Sequence, residues 1–148
     1  MANSFWDADT RQSLMIRVHK LTPDAVPAWG TMDARKMLSH ITDVCRMASG
    51  ELPVTSKGGL LRYWPIPDLV IYALPWPHGA PTSPEVIERS VGDWEAGLHA
   101  FDVATGQLVD KATVGSLPDH PALGRLTNDQ WGALMARHLD HHLTQFKV

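Results

Sequence analysis

"WGALMARHLDHHLTQF", residues 131–146, decides how this chain is read. Apolar residues recur every three or four positions, as on one face of an α-helix. Taking Trp131 as the centre of that face at about 100° per residue, His138 and His142 fall within roughly 20° on either side. The two imidazoles therefore stand one turn apart in the middle of the apolar stripe, while His141 sits at its edge and Asp140 faces away. Each buried ring nitrogen costs on the order of 1–3 kcal/mol if left without a partner. A divalent metal is one partner that i,i+4 imidazoles can share. A pair of core histidines satisfied by ordinary hydrogen bonds is the other reading of the same spacing.

Working backward, Thr127 and Gln130 have the spacing of a capping box, so the helix is expected to start at Thr127 and run almost to the last residue. Three further helical stripes precede it. The first covers about Thr10 to Leu21, carried by Leu14, Met15, Val18 and Leu21, and is stopped by the prolines of "TPDAVP". The second follows Gly30, with Thr31 as the expected N-cap. Ala34, Met37, Leu38, Ile41, Val44, Cys45 and Ala48 form its stripe, and Gly50 its terminator. The third is expected to open at Ser83-Pro84-Glu85 and to end near Gly106. Its stripe is Ile87, Val91, Trp94, Leu98 and Phe101, and a short extended piece is expected around "QLVDKATV".

Between the second and third stripes, residues 51–82 hold six prolines and three glycines, which exclude a long regular helix. A long irregular connection rich in proline and tryptophan, with "DLVIYAL" as a short buried segment, is the reading. Connections of this length inside a domain are uncommon and often functional. The fold expected is all-α: a four-helix bundle in a single domain spanning residues 1–148.

Composition narrows the function. The chain has 148 residues, of which 44% are hydrophobic and 20% charged, which is usual for a globular protein. A formal net charge of −3 without a Lys/Arg block gives no footprint for nucleic acid or an anionic membrane. One cysteine, Cys45, fits a reducing compartment and reads as a small core residue. No apolar run is long enough to cross a bilayer, and the first residues lack a signal-like core, so the expected location is cytoplasmic. Eight histidines and six tryptophans are the excess, and their placement matters more than their number.

A third ligand should come from another helix. His40, in "MLSHITDV", is the best candidate, flanked by Val44 and Met47 at the edge of the second stripe. His99 and His19 lie off their stripes, while His78 and His120 fall on loops. "HLDHH" is not the H-E-x-x-H motif, because Leu139 occupies the glutamate position. There is neither a glycine-rich phosphate loop nor a nucleophile elbow.

"VPAWGTMDARKMLSHITDV", "LPWPHGAPTSPE" and "HPALGRLTNDQWGALMARHLDHHLTQF", in this order, resemble the DinB-like superfamily, and most nearly its DUF1569 branch. The resemblance covers nearly all the chain from about Arg11. It implies a four-helix bundle holding a divalent metal, with His40 as the ligand from the second helix and His138 and His142 as the pair from the fourth. The commoner "HHRGQ" ending is here "HHLTQ", with Leu143 and Thr144 in place of Arg-Gly, which leaves the ligands but not what the pattern implies about the groups around them or the substrate. Family activities imply a metal-dependent thiol S-transferase or hydrolase acting on a small molecule, with a low-molecular-weight thiol as partner. Three imidazoles suit zinc or nickel without choosing between them. His141 is a candidate for proton transfer or ligand support, and Trp64 and Trp76 for walls of the pocket, with ordinary packing as the alternative for both. A non-catalytic bundle that binds a metal or small ligand is the rival function. The aromatic loops are compatible with a homodimer.

Overall fold

A computed structural model describes residues 3–79 and 89–148. Among these residues the chain is all-helical, with no strand and a single isolated bridge between His120 and Gly124. Helix α1 spans Ala8–His19 and is started by Asp7, whose carboxylate accepts the Thr10 N–H at 2.8 Å. It buries Leu14 and Val18.

Helix α2 spans Ala34–Ser49. Its N-cap is Asp33, accepting from Lys36 N at 2.8 Å, rather than Thr31. Asp33 has the extended backbone that an N-cap needs, and its carboxylate also complements the positive end of the helix dipole. Gly50 ends the helix in the left-handed region at φ 87°, where a side chain would be strained. The helix buries more than its apolar stripe: Ser39, His40, Thr42 and Asp43 are also enclosed. A helix buried this far round must be covered from several sides. Its most extensive partner is the helix over Trp94–Val114.

The connection after α2 is irregular but not without structure. A 3-10 turn at Leu60–Arg62 leads to α3, Ile66–Asp68, which continues as a π-helical turn over Leu69–Ala73. The prolines fit because Pro65 and Pro67 lie where a new helix has no use for their missing N–H. Pro67 and Ile71 are the buried residues of α3 and the π-helical turn. "DLVIYAL" is thus helical, with most of its side chains toward the surface.

Helix α4 spans Trp94–Val114, capped by Asp93, which accepts Ala96 N at 2.7 Å. The start expected at residues 83–85 lies outside the described residues. Residues 89–93 are not helical, so Val91 of the expected stripe precedes the Asp93 cap instead of lying on the helix. The expected end near Gly106, with an extended "QLVDKATV" after it, is overturned: the helix passes through Gly106 and takes in that whole piece. An exposed mid-helix glycine costs about 1 kcal/mol relative to alanine. Here Leu108 continues the buried face of Phe101, Ala104 and Thr105, and packing outweighs propensity.

Helix α5 spans Asn128–Gln145 behind Thr127, with both halves of the capping box present. Over its first turns lies the N-terminal segment. Phe5 N donates to Gly132 O at 2.9 Å, Trp6 Nε1 donates to Asn128 O at 2.6 Å, and Arg11 holds the carbonyls of Phe5 and Trp6. Phe5 is fully buried. This close approach requires glycine at 132, because a Cβ there would meet the Trp6 ring at 2.7 Å and also the Ser4 hydroxyl.

The four long helices share one apolar core. Within it α2 packs chiefly on α4 and α1 chiefly on α5, with a smaller direct contact between α2 and α5. No helix among the described residues is long and apolar enough to cross a membrane.

Candidate metal centre

The contact between α2 and α5 brings three histidines together. His40 lies on α2 with 1% of its surface exposed, and His138 and His142 lie partly buried on α5, one turn apart. The Nε2 atom of His138 is 3.1 Å from Nε2 of His40 and 3.1 Å from Nε2 of His142. One ring nitrogen from each lies within 4.8 Å of the others, so the three could hold a metal ion. Nitrogens about 2.0–2.1 Å from a tetrahedral ion are roughly 3.3 Å apart. Both measured separations are within a few tenths of that value, and the residues present fit such an ion.

The electrostatics favour the neutral form of the two rings on α5. Burial pushes His138 well below the ordinary imidazole range, and the nearby His142 and His40 rings push the same way. Burial lowers His142 to about 4, with His40 adding to the effect and the hydrogen bond to Gln145 opposing it. Neutral imidazole is the form that can donate a lone pair to a metal.

Gln145, 5% exposed, is the partner that sequence reading missed. Its Oε1 lies 3.0 Å from His142 Nδ1, and its Nε2 donates to the Trp29 carbonyl at 2.9 Å. The signal available was a glutamine three positions beyond His142, on the same side of the helix. The backbone carbonyl that anchors it has no signature in sequence.

Aromatic rings surround the cluster. Trp76 stands edge-on to His138, with centroids 5.7 Å apart at 82°. Its indole N–H donates to Val70 O at 2.8 Å, and the Arg137 guanidinium lies 4.9 Å above the ring. Arg137 also donates to the carbonyls of Val70, Ile71 and Leu74, so it fastens the π-helical turn to α5. His141 lies edge-on to His142 at 5.3 Å and 5.7 Å from the rings of both Trp29 and Trp76. Burial lowers its pKa, and the neighbouring His78 and Arg137 add to this. Trp29 stacks flat on His78, with centroids 3.9 Å apart at 4°.

The remaining candidates lie elsewhere. Trp64 is 82% exposed, and among the described residues no ring contact joins it to the cluster, so Trp76 alone of the two tryptophans is brought there. His99 is exposed, and His19 pairs with Asp102 at 2.9 Å. His120 shapes a turn: its Nδ1 accepts the N–H groups of Ala122 and Leu123 at 3.1 and 3.0 Å. Cys45 is fully buried, with its thiol pushed up to about 12 by burial, which leaves it no thiolate for chemistry. The carboxylates nearest the ligands in sequence are committed. Asp140 pairs with Arg17 at 2.7 Å, and the buried Asp43 is held by Arg89 and Arg46.

Residues 77–148 match the family described as "Protein of unknown function (DUF1569)". That span includes His138 and His142 but not His40. No curated protein and no solved structure matches the chain.

Proposed function

We propose that this chain is a divalent-metal-dependent enzyme of the DinB-like type, built as a single four-helix-bundle domain. His40, His138 and His142 are the ligands, and zinc or nickel the ion. The observation that carries this reading is the convergence of three imidazole nitrogens from two helices at separations that suit a tetrahedral ion. Three neutral donors leave coordination positions open, as catalytic sites do and closed structural sites do not. A divalent ion bound there supplies Lewis acidity, which favours the deprotonated form of a coordinated thiol or water. The reaction that follows is transfer of a low-molecular-weight thiol to a small electrophile, or hydrolysis, in the cytoplasm. In this reading His141, beside His142 and within the aromatic rim, exchanges a proton with a bound substrate, and Trp76 walls its binding site.

A second reading is favoured by one observation: the carboxylates nearest the ligands in sequence are already tied to arginines. Without a carboxylate base the site would hold a metal or small ligand and turn nothing over. The aromatic surface of the connection suits a homodimer in either case.

Metal analysis of untagged protein, followed by thiol-transfer and ester-hydrolysis assays on the loaded and chelated forms, separates the readings. Turnover that requires the metal supports the enzyme. A fully loaded, folded protein inert to every thiol and electrophile supports the binder. Absence of stoichiometric metal under saturating zinc and nickel overturns the enzyme and the metal-holding form of the binder.

A further inference from the structure

The Trp29 carbonyl can only accept a hydrogen bond, so the Gln145 side chain must turn its amide nitrogen toward it, at 2.9 Å. That leaves Gln145 Oε1, itself only an acceptor, facing His142 Nδ1 at 3.0 Å. An attractive contact then requires the proton to sit on Nδ1. In a neutral imidazole this leaves Nε2 bare, and Nε2 is the atom that lies 3.1 Å from His138 Nε2 at the centre of the cluster. Neither end of this relay is free to reverse.

Two further features hold the relay in place. Ala28 N donates to the backbone carbonyl of Gln145 at 2.7 Å, pinning the 28–30 segment to the end of α5. Gly30 adopts φ 76°, and a Cβ there would lie 3.1 Å from Gln145 Nε2, so glycine gives the amide room to reach the carbonyl. A buried glutamine with both ends of its amide used costs little to enclose, and it fixes the orientation of everything it touches.

From this geometry we infer that Gln145 is a positioning residue, which through the Trp29 carbonyl holds His142 in the tautomer that offers Nε2 to a metal. The inference rests on the metal reading for its purpose, but the tautomer itself does not depend on a metal being bound. Hydrogen-bonded groups behind a ligating histidine typically contribute 10–100-fold in metal affinity.

The test has two arms. In the first, nitrogen-15 NMR of the histidine rings in metal-free wild-type protein should show His142 protonated on Nδ1 and bare on Nε2. A proton on Nε2 would overturn the inference. In the second, zinc affinity is measured by competition with a chromogenic chelator for wild type and Gln145→Met, whose side chain is similar in size but lacks the acceptor. The variant should bind zinc 10–100-fold more weakly while its chelated form keeps its helical circular dichroism. Unchanged affinity would equally overturn the inference. Should Gln145→Met fail to fold, the first arm still decides. Should wild type bind neither zinc nor nickel, the metal reading fails, while the NMR spectrum still shows whether the relay fixes the tautomer.

Discussion

The Nε2 atoms of His40 and His138 lie 3.1 Å apart, although 98 positions separate the residues in sequence. Two neutral imidazole nitrogens at that distance attract only if a proton or a cation lies between them. His142 Nε2 makes the same approach to His138. The three rings, from two helices, are near enough together to hold a shared ion.

The first prediction concerns stability. An ion that binds only the native chain, at 100 times its dissociation constant, adds about 2.7 kcal/mol to folding. Zinc or nickel should therefore raise the melting temperature by several degrees, and a chelator should reverse the gain. In His40→Ala, or in the His138→Ala, His142→Ala double variant, neither metal should produce a shift. An equal shift in wild type and variants would place the metal somewhere else.

A second prediction concerns the buried carboxylate one turn beyond His40. Asp43, 1% exposed, accepts from Arg89 Nε at 3.0 Å and Arg46 Nη1 at 3.3 Å. Removing one cation from a buried pair leaves charge poorly compensated, so Arg89→Ala should cost about 2–3 kcal/mol. In an Asp43→Asn background the same change should cost less than about 1 kcal/mol, since no charge is left behind. Denaturant titrations of the four proteins measure the difference. Equal costs in both backgrounds would show that Asp43 does not depend on Arg89.

The third prediction follows from His120. Burial, assisted by the charge of Lys57, lowers it to about 4, against 6.5 for an ordinary histidine. Between these values the unfolded chain binds a proton that the folded chain refuses. The stability tied to a neutral His120 should be complete above about pH 6.5 and decline as the pH falls toward 4. Protonating Nδ1 would also break its bonds from Ala122 and Leu123. His138 and His142 share the sign of this effect, so the informative quantity is a difference. His120→Asn, which can accept the same N–H groups, should lose less stability between pH 7 and pH 4.5 than wild type. Parallel curves for the two proteins would contradict this.

The fourth prediction tests the N-terminal segment. Gly132→Ala places a methyl group against Ser4 and the Trp6 ring. Overpacking of this kind costs about 1–3 kcal/mol. Deleting residues 1–6 in the same background should remove the penalty of the added methyl, although it loses the burial of Phe5 as well. A variant as stable as wild type would mean that the segment moves aside freely.

How much of this was legible beforehand differs by element. The capping box of Thr127 and Gln130 and the glycine at position 50 are local chemistry, and the structure has both where the sequence placed them. The helical wheel of α5 depends only on a fixed period, and it set His138 and His142 on one side, where their Nε2 atoms are found together. The far end of α4 was misread because Gly106 looks like a stop, while the burial of Leu108 that overrides it arises only from tertiary packing. Trp64 and Trp76 are indistinguishable as letters. One is drawn to the cluster by its indole bond to Val70 O and by the Arg137 guanidinium, and the other is left in solvent. Gln145 escaped notice because its anchor is a main-chain oxygen, which every residue carries.

The pairing of α2 with α4 and of α1 with α5 has a mechanical consequence. His40 belongs to one pair and His138 and His142 to the other, so an ion held by all three would bolt the halves together across the seam between them. Breathing between the halves would then require rupture of a coordination bond, and amide hydrogens facing that seam would exchange slowly with the bolt in place and quickly once it is drawn.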